Sequence, residues 1–241
     1  MNIALIGYGK MGKTIEQIAQ ERGHNIALII DSKNAHHLSI DLLKEHNIDV
    51  AIEFSTPSTV IRNINICFDA HIPVVVGTTA WEGQESTIMK RTMEERQSIF
   101  AASNFSIGMN LTFELNRKLS HWMNDFPEYN IEIEEIHHTE KIDSPSGTAI
   151  SLAKDSISKL NAKTKWVNTA QNQEDEIAII SKRQANVAGT HTVTFQSEID
   201  NIKIEHQAHN RDGFAKGALI AAEWIADKVG YFGMNDLLKF N

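Results

Sequence analysis

The chain of 241 residues has one cysteine, Cys67, so no disulfide can form within it. That fits a reducing compartment. Cys67 lies among Ile64, Ile66 and Phe68 with no activating neighbour in sequence, and it reads as a small core residue. An excess of positive charge is missing too. There are 31 acidic against 23 basic residues, a formal net charge of −8. This excludes nucleic-acid binding through a general basic field, but not a local basic pocket for an anionic ligand. No apolar run reaches the ~18 residues of a membrane span. No basic segment with an apolar stretch precedes the first strand pattern, so no secretory leader is expected. The expectation is a protein of the cytoplasm with neither a membrane nor a nucleic-acid partner. Internal repeats and low-complexity tracts are absent as well.

What is present is an ordinary globular composition, 41% apolar and 22% charged, in a chain long enough for one large domain or two small ones. Strand and helix patterns alternate over the first hundred residues. Short apolar runs at 2–6, 26–30, 49–54, 73–76 and 98–102 read as buried strands. Helical spacing covers 11–22, closed by Gly23, and Pro57 opens a helix that runs to about Ala70. A polar helix is expected over 82–95. Such alternation predicts a parallel sheet covered on both faces, with ligands at the carboxyl ends of its strands. The loops starting at Gly7, Asp31, Ser55, Gly77 and Ser103 should then line one crevice.

The character changes after about Ile107. Helices are expected over 109–122 and 148–160. Ile131 and Ile133 alternate with glutamates, as in a half-buried strand. The segments around Val193 and Ile204 also alternate, and the Asp200-Asn201 turn joins them as a hairpin. A further helix is expected over 215–229. The predicted fold is an α/β Rossmann-like dinucleotide-binding domain (1–106 and 213–241) plus an α+β domain with a mixed sheet (107–212).

Gly7-Tyr8-Gly9-Lys10-Met11-Gly12 matches G-x-G-x-x-G directly after a strand and at the start of a helix. Gly7 permits the tight turn, Gly9 lets a pyrophosphate approach the backbone, and Gly12 allows close helix–strand packing. The helix start then supplies N–H groups for phosphate. Asp31 ends the second strand, where an acid bonds the adenosine ribose hydroxyls. Lys33, two residues on, would instead pair with a 2′-phosphate, so the choice between NAD and NADP stays open.

Residues 134–149 put His137, His138, Lys141 and the turn Ser146-Gly147-Thr148 within a short stretch. The turn precedes a helix, so its N–H groups and hydroxyls form an anion site. With the histidines and the lysine as donors, the segment suits a small substrate bearing carboxylates. Plain readings compete: Lys141 as a surface charge, Ser146 and Thr148 as helix caps. Metal binding is not expected, because the His-His spacing is not H-E-x-x-H and no cysteine is near.

In order, GYGKMG at 7–12, EFSTP at 53–57, VVVGTTAW at 74–81, ASNFSIGMN at 102–110, EIHHTEKIDSPSGTA at 135–149, Gly189-Thr190-His191 and the stretch Phe214 to Ala218 resemble the dihydrodipicolinate reductase family along the whole chain. The resemblance implies reduction of 4-hydroxy-tetrahydrodipicolinate by NADPH or NADH, with loss of water, in diaminopimelate and lysine synthesis. It implies that Gly7 to Gly12 hold pyrophosphate and that Asp31 and Lys33 take the ribose end. Gly77, Thr78, Thr79, Ala102, Ser103, Asn104 and Phe105 would line the nicotinamide side. His137 would donate the proton with Lys141 as its partner, while His138, Ser146, Gly147, Thr148 and Arg211 hold the carboxylates of a cyclic imine-type substrate. A homotetramer built through the second domain's sheet is implied as well. Two features depart from the family. Lys10 stands where arginine is usual, and 32–48 is short, which leaves cofactor preference open. The alternatives are another NAD(P)-dependent oxidoreductase and a non-catalytic dinucleotide sensor. The combined histidine–lysine segment and the filled catalytic positions argue against both.

Overall fold

The structure is a computed structural model that describes residues 1–171 and 173–240. The chain divides into two compact units: Met1–Ile107 with the chain from Arg211 onward, and Gly108–Asn210. The first opens with β1 (Asn2–Ile6), α1 (Lys10–Glu21), β2 (Asn25–Ile30), α2 (Ile40–Glu45), β3 (Val50–Glu53), α3 (Val60–Asp69), β4 (Val74–Val76), α4 (Glu85–Glu94) and β5 (Ser98–Ala101). After α5 (Ile107–Trp122) the second contains β6 (Asn130–His137), α6 (Gly147–Ile157), β7 (Lys165–Val167), β8 (Glu176–Arg183), β9 (Gly189–Gln196) and β10 (Asn201–Ala208). The chain returns to the first with α7 (Asp212–Ile225), β11 (Gly230–Phe232) and α8 (Met234–Leu238).

The first unit's sheet is parallel, in the order β11-β5-β4-β3-β1-β2. Successive strand side chains point to opposite faces, and here both faces are cores. Ala4 and Ile6 of β1 pack with Ala51, Val74, Val76 and Ile99 on one side. Ile3 and Leu5 pack with Val50, Ile52, Val75 and Phe100 on the other. This is why the strands read as continuous apolar runs. The second face is closed by α7, whose Ala218, Leu219 and Ala222 are fully buried beside Ile15 and Ala19 of α1.

The second unit's sheet is mixed, in the order β10-β9-β6-β8-β7. β6 runs parallel to β8 and antiparallel to β9. The expected hairpin joins β9 to β10, with Gln196 opposite Asn201. Along β6, Ile131 and Ile133 enter the core beneath α5 and α6, and the same face continues into Glu135 and His137. The apolar core thus gives way to buried polar groups at the carboxyl end of β6.

The expected helix from Pro57 forms later. Thr56–Thr59 is a turn, with Thr59 N donating to Thr56 O at 3.0 Å, and α3 begins at Val60. The sequence reading assigned no element to β7, β8, β11, α2 or α8. β7 and β11 span three residues each, too few for a period to register. β8 reads as a flat apolar run, Ile177–Ile180, without alternation.

Candidate active site

The first unit's strand order reverses at β1: β2 lies on one side, β3 on the other. At the carboxyl ends of these strands lies a cavity of about 500 Å³ lined by Gly7, Gly9, Asp31, Phe54 and Ser55, among others. A second, of about 320 Å³, shares Gly9 and Phe54 with it and adds Lys10, Met11, Gly77 and Thr79. A third, of about 250 Å³, reaches Thr79, Ala102 and Ser103. Together they form one groove along the sheet edge, the place where doubly wound folds take ligands.

Glycine shapes this groove. Gly7 has φ +97°, and a Cβ there would overlap the Phe54 carbonyl. A Cβ on Gly12 would overlap the carbonyl oxygen of Gly7. Gly9 differs: a Cβ there would meet nothing within 4 Å, so its backbone faces open space. Gly9 also caps α1 with no side-chain acceptor on the helix's first N–H groups. An open, uncapped helix start beside a groove of this size fits the pyrophosphate of a dinucleotide.

Side chains lock the groove's walls. The buried Glu53 carboxylate accepts from Thr78 Oγ1 at 2.6 Å, from Asn63 Nδ2 at 3.1 Å and from the Ser55 hydroxyl. Burial pushes its carboxyl above the usual range, against the pull of those donors. Thr78 Oγ1 in turn accepts from Ser55 N at 2.8 Å. Two residues expected on the nicotinamide side have structural tasks as well, and Thr78 also lines the second and third cavities. The Thr78 hydroxyl is spent on holding two loops together. The Phe105 ring is a core residue, 2% exposed, packed on Phe54 and Phe100 with centroids 5.7 and 5.8 Å away. Thr79 and Ser103 are exposed, and Asn104 Oδ1 accepts from Ser106 N at 2.9 Å. Asp31 Oδ1 accepts from Lys33 N at 2.7 Å and Asn34 N at 3.2 Å, which holds its carboxylate in the groove wall. Lys33 is exposed. The Tyr8 hydroxyl donates to Glu16, and Lys13 Nζ sits 5.9 Å from the Tyr8 ring centre.

In the second unit, strand register assembles a polar cluster. His137 stands opposite Arg183 on β8, and Glu135 opposite His191 on β9. His137 Nδ1 hydrogen-bonds Glu135 Oε2, and Arg183 Nη1 donates to Glu135 Oε1 at 2.9 Å. Burial pushes the Glu135 carboxyl up, but the bonds from His137, Arg183 and Ser181 prevail and hold it at about 2. The His191 ring meets His137 edge-on, with centroids 5.0 Å apart, and its Nε2 lies 3.1 Å from Ser146 Oγ. Burial above all, then the neighbouring His137, pushes His191 down to about 3, so it is neutral at working pH.

Ser146 is the N-cap of α6: its hydroxyl accepts from Ala149 N at 3.2 Å. Its oxygen is therefore engaged within the fold, and what the turn offers outward is the helix-start N–H groups of Gly147 and Thr148, which lack intrahelical partners. Lys141 Nζ is paired with Asp143 at 2.8 Å. The Nδ1 atoms of His138, His191 and His206 are buried without a hydrogen-bond partner. Arg211, expected with the carboxylate-binding group, is the N-cap of α7 and belongs to the first unit.

Glu135, Arg183 and His191 carry no role in the sequence reading. Glu135 left one signal, its position two residues before His137 on an alternating strand. Arg183 left none, because only register brings it there. Glu135, His137 and His191 also bring one metal-capable atom each within 4.8 Å of one another, a convergence invisible in their spacing. The Arg183 cation and the His137 ring thus meet on the two oxygens of one buried carboxylate.

The comparisons agree with this architecture. Residues 1–105 match the N-terminal model of dihydrodipicolinate reductase, and residues 108–238 match the C-terminal one. The chain belongs to the dihydrodipicolinate reductase family. It is 48% identical over 239 residues to the 4-hydroxy-tetrahydrodipicolinate reductase of Christiangramia forsetii, covering 99% of this chain and 98% of that protein. The reductase of Buchnera aphidicola subsp. Schizaphis graminum is 34% identical, over 92% of this chain and 83% of that one. Among solved structures, the dipicolinate-bound dihydrodipicolinate reductase of Paenisporosarcina sp. TG-14 superposes with a TM-score of 0.79 at 20% identity, covering 99% of both chains. A probable dehydrogenase of Thermotoga maritima reaches 0.57 at 10% identity, covering 98% of this chain and 92% of that one, which is a likeness of fold.

Proposed function

We infer that this family member reduces 4-hydroxy-tetrahydrodipicolinate to tetrahydrodipicolinate, with loss of water, in diaminopimelate and lysine synthesis. The observation that carries this reading is the His137–Glu135 pair, buried at the end of β6 and joined through His191 to the Ser146 cap of α6. A proton-handling group thus lies close to a helix start suited to carboxylate.

NADPH or NADH would lie along the groove from Asp31 to Ser103 and supply the hydride. Gly7 to Gly12, with Tyr8, Lys10 and Met11, line the pyrophosphate end. Asp31 favours a ribose diol, and the exposed Lys33 would attract a 2′-phosphate. Gly77, Thr79, Ala102 and Ser103 shape the nicotinamide end; Thr78 and Asn104 brace it. His137 hands a proton to the ring as general acid. Lys141 offsets negative charge developing on the ring nitrogen. The N–H groups of Gly147 and Thr148 hold a carboxylate, with His138 and Arg211 as further donors, and this fixes the ring's orientation. The reductase of Paenisporosarcina, described as bound to dipicolinate, takes a ring with two such carboxylates. The first unit would be the nucleotide-binding domain, and the second the substrate-binding domain and the tetramer interface, in the cytoplasm. No described helix is long and apolar enough to cross a membrane.

The test generates the hydroxylated ring from pyruvate and aspartate semialdehyde with its synthase and follows NADPH and NADH oxidation separately. Substrate-dependent oxidation is expected, and the ratio of the two rates gives the cofactor preference. Folded protein that binds cofactor but oxidises neither would overturn the reading.

A further inference from the structure

Glu135 has no exposed surface, yet both of its oxygens are occupied, one by His137 and one by Arg183. An ionised carboxylate only accepts hydrogen bonds, so His137 Nδ1 must carry a proton. The other ring nitrogen, Nε2, lies against Gly189: a side-chain carbon built there would stand 3.1 Å from it. Glycine leaves Nε2 the space any other residue would fill. Arg183 reaches further. Its Nε and Nη2 donate to the main-chain oxygens of Lys141 and Asp143 at 3.3 and 2.6 Å. One guanidinium thus ties the carboxylate behind His137 to the segment that bears Lys141.

We propose that Glu135 and Arg183 are positioning residues: Glu135 keeps the resting proton of His137 on Nδ1 so that Nε2 exchanges the proton with substrate, and Arg183 fixes which carboxylate oxygen does this. The kinetic arm of the inference rests on His137 being the proton donor; the tautomer arm does not.

The arrangement dictates the direction of a substitution's effect. In Glu135→Gln the side chain ends in one oxygen and one NH₂. Arg183 can only donate, so the amide oxygen turns to Arg183 and the NH₂ to His137. Nδ1 must then accept, and the ring proton moves to Nε2. The ring can no longer hold both protons without aiming Nδ1–H at another donor.

Long-range ¹H–¹⁵N spectra of histidine-labelled protein, with His137→Gln for assignment, read the tautomer directly. The wild type is expected to show the Nδ1-protonated pattern and Glu135→Gln the inverted one. The kcat of Glu135→Gln should fall ~100-fold or more, with KM moving less than about twofold. Glu135→Asp, still an acceptor, should keep the wild-type tautomer and recover part of kcat. A wild-type ring with its proton on Nε2 overturns the proposal whether or not any variant folds. So does a Glu135→Gln ring that keeps the wild-type tautomer, or an inverted ring in Glu135→Asp. Inversion with undiminished kcat upholds Glu135's control of the tautomer but overturns proton exchange through Nε2, and with it His137 as the donor.

Discussion

The first unit's groove owes its shape to glycines at its closest approaches. Gly7, Gly12 and Gly77 are glycines because a Cβ would strike Phe54 or the Gly7 carbonyl, and Gly9 exposes bare backbone. The second unit works the other way. Its cluster is a chain of side chains, Ser146–His191, His137–Glu135–Arg183, nearly all shut away from water. The first kind of site is damaged by adding an atom. The second is damaged by removing a partner, because a buried polar group left alone costs its full desolvation.

Experiments can break that contrast or sharpen it. The largest effect belongs to His137→Ala, which should lower kcat by ~10²–10⁴-fold while leaving NAD(P)H affinity, measured by fluorescence titration, unchanged. Lost cofactor binding would erase the division of labour. Next is Gly7→Ala, whose Cβ has no room beside Phe54 and whose φ of +97° suits only glycine. It should cost ~2–3 kcal/mol in a urea melt and weaken cofactor binding, without moving the His137 ring signals.

Acid should strike the second unit. His191 sits at about 3 when folded, against an ordinary value of 6.5, in contact with His137 and near Glu135, His206 and Lys141. Between those values the unfolded chain binds more protons, so stability falls as pH drops from 6.5 towards 3. Glu135, held at about 2 against 4.5, adds a further loss as pH falls through that lower range. Unfolding free energies from urea melts at pH 7 and pH 5 should differ by on the order of 2 kcal/mol from His191 alone, and His191→Gln should remove that part. The smallest effect is Thr78→Val. It keeps the shape of the loop but strands Glu53 and Ser55 N, for ~1–2 kcal/mol and a raised KM for the cofactor. An unchanged KM would mean that the loop holds its place without the hydroxyl.

Much of this molecule was legible in its residues. The strand ends of β1 to β5 lie within one residue of their predicted positions, because buried parallel strands are short apolar runs bounded by turns. The glycine loop was legible because backbone sterics act between neighbours. The core packing of the Phe105 ring on Phe54 and Phe100 was not legible, because it depends on where two strands' ends place those rings rather than on its neighbours in sequence. The bond from the Thr78 hydroxyl to Glu53 on another strand was equally invisible in the sequence.

By itself the sequence determined the family, the change from parallel to mixed sheet, the glycine-rich turn after β1 and the histidine–lysine segment. Each is a local pattern of period or steric need carried by contiguous residues. Only the tertiary structure decided that Glu135 is held between His137 and Arg183, that Gly189 clears Nε2, and that His191 is buried beside them. Those partners lie some fifty residues apart along the chain, and they meet through the pairing of β6 with β8 and β9. A one-residue slip in that register would turn Arg183 or His191 to the opposite face of the sheet.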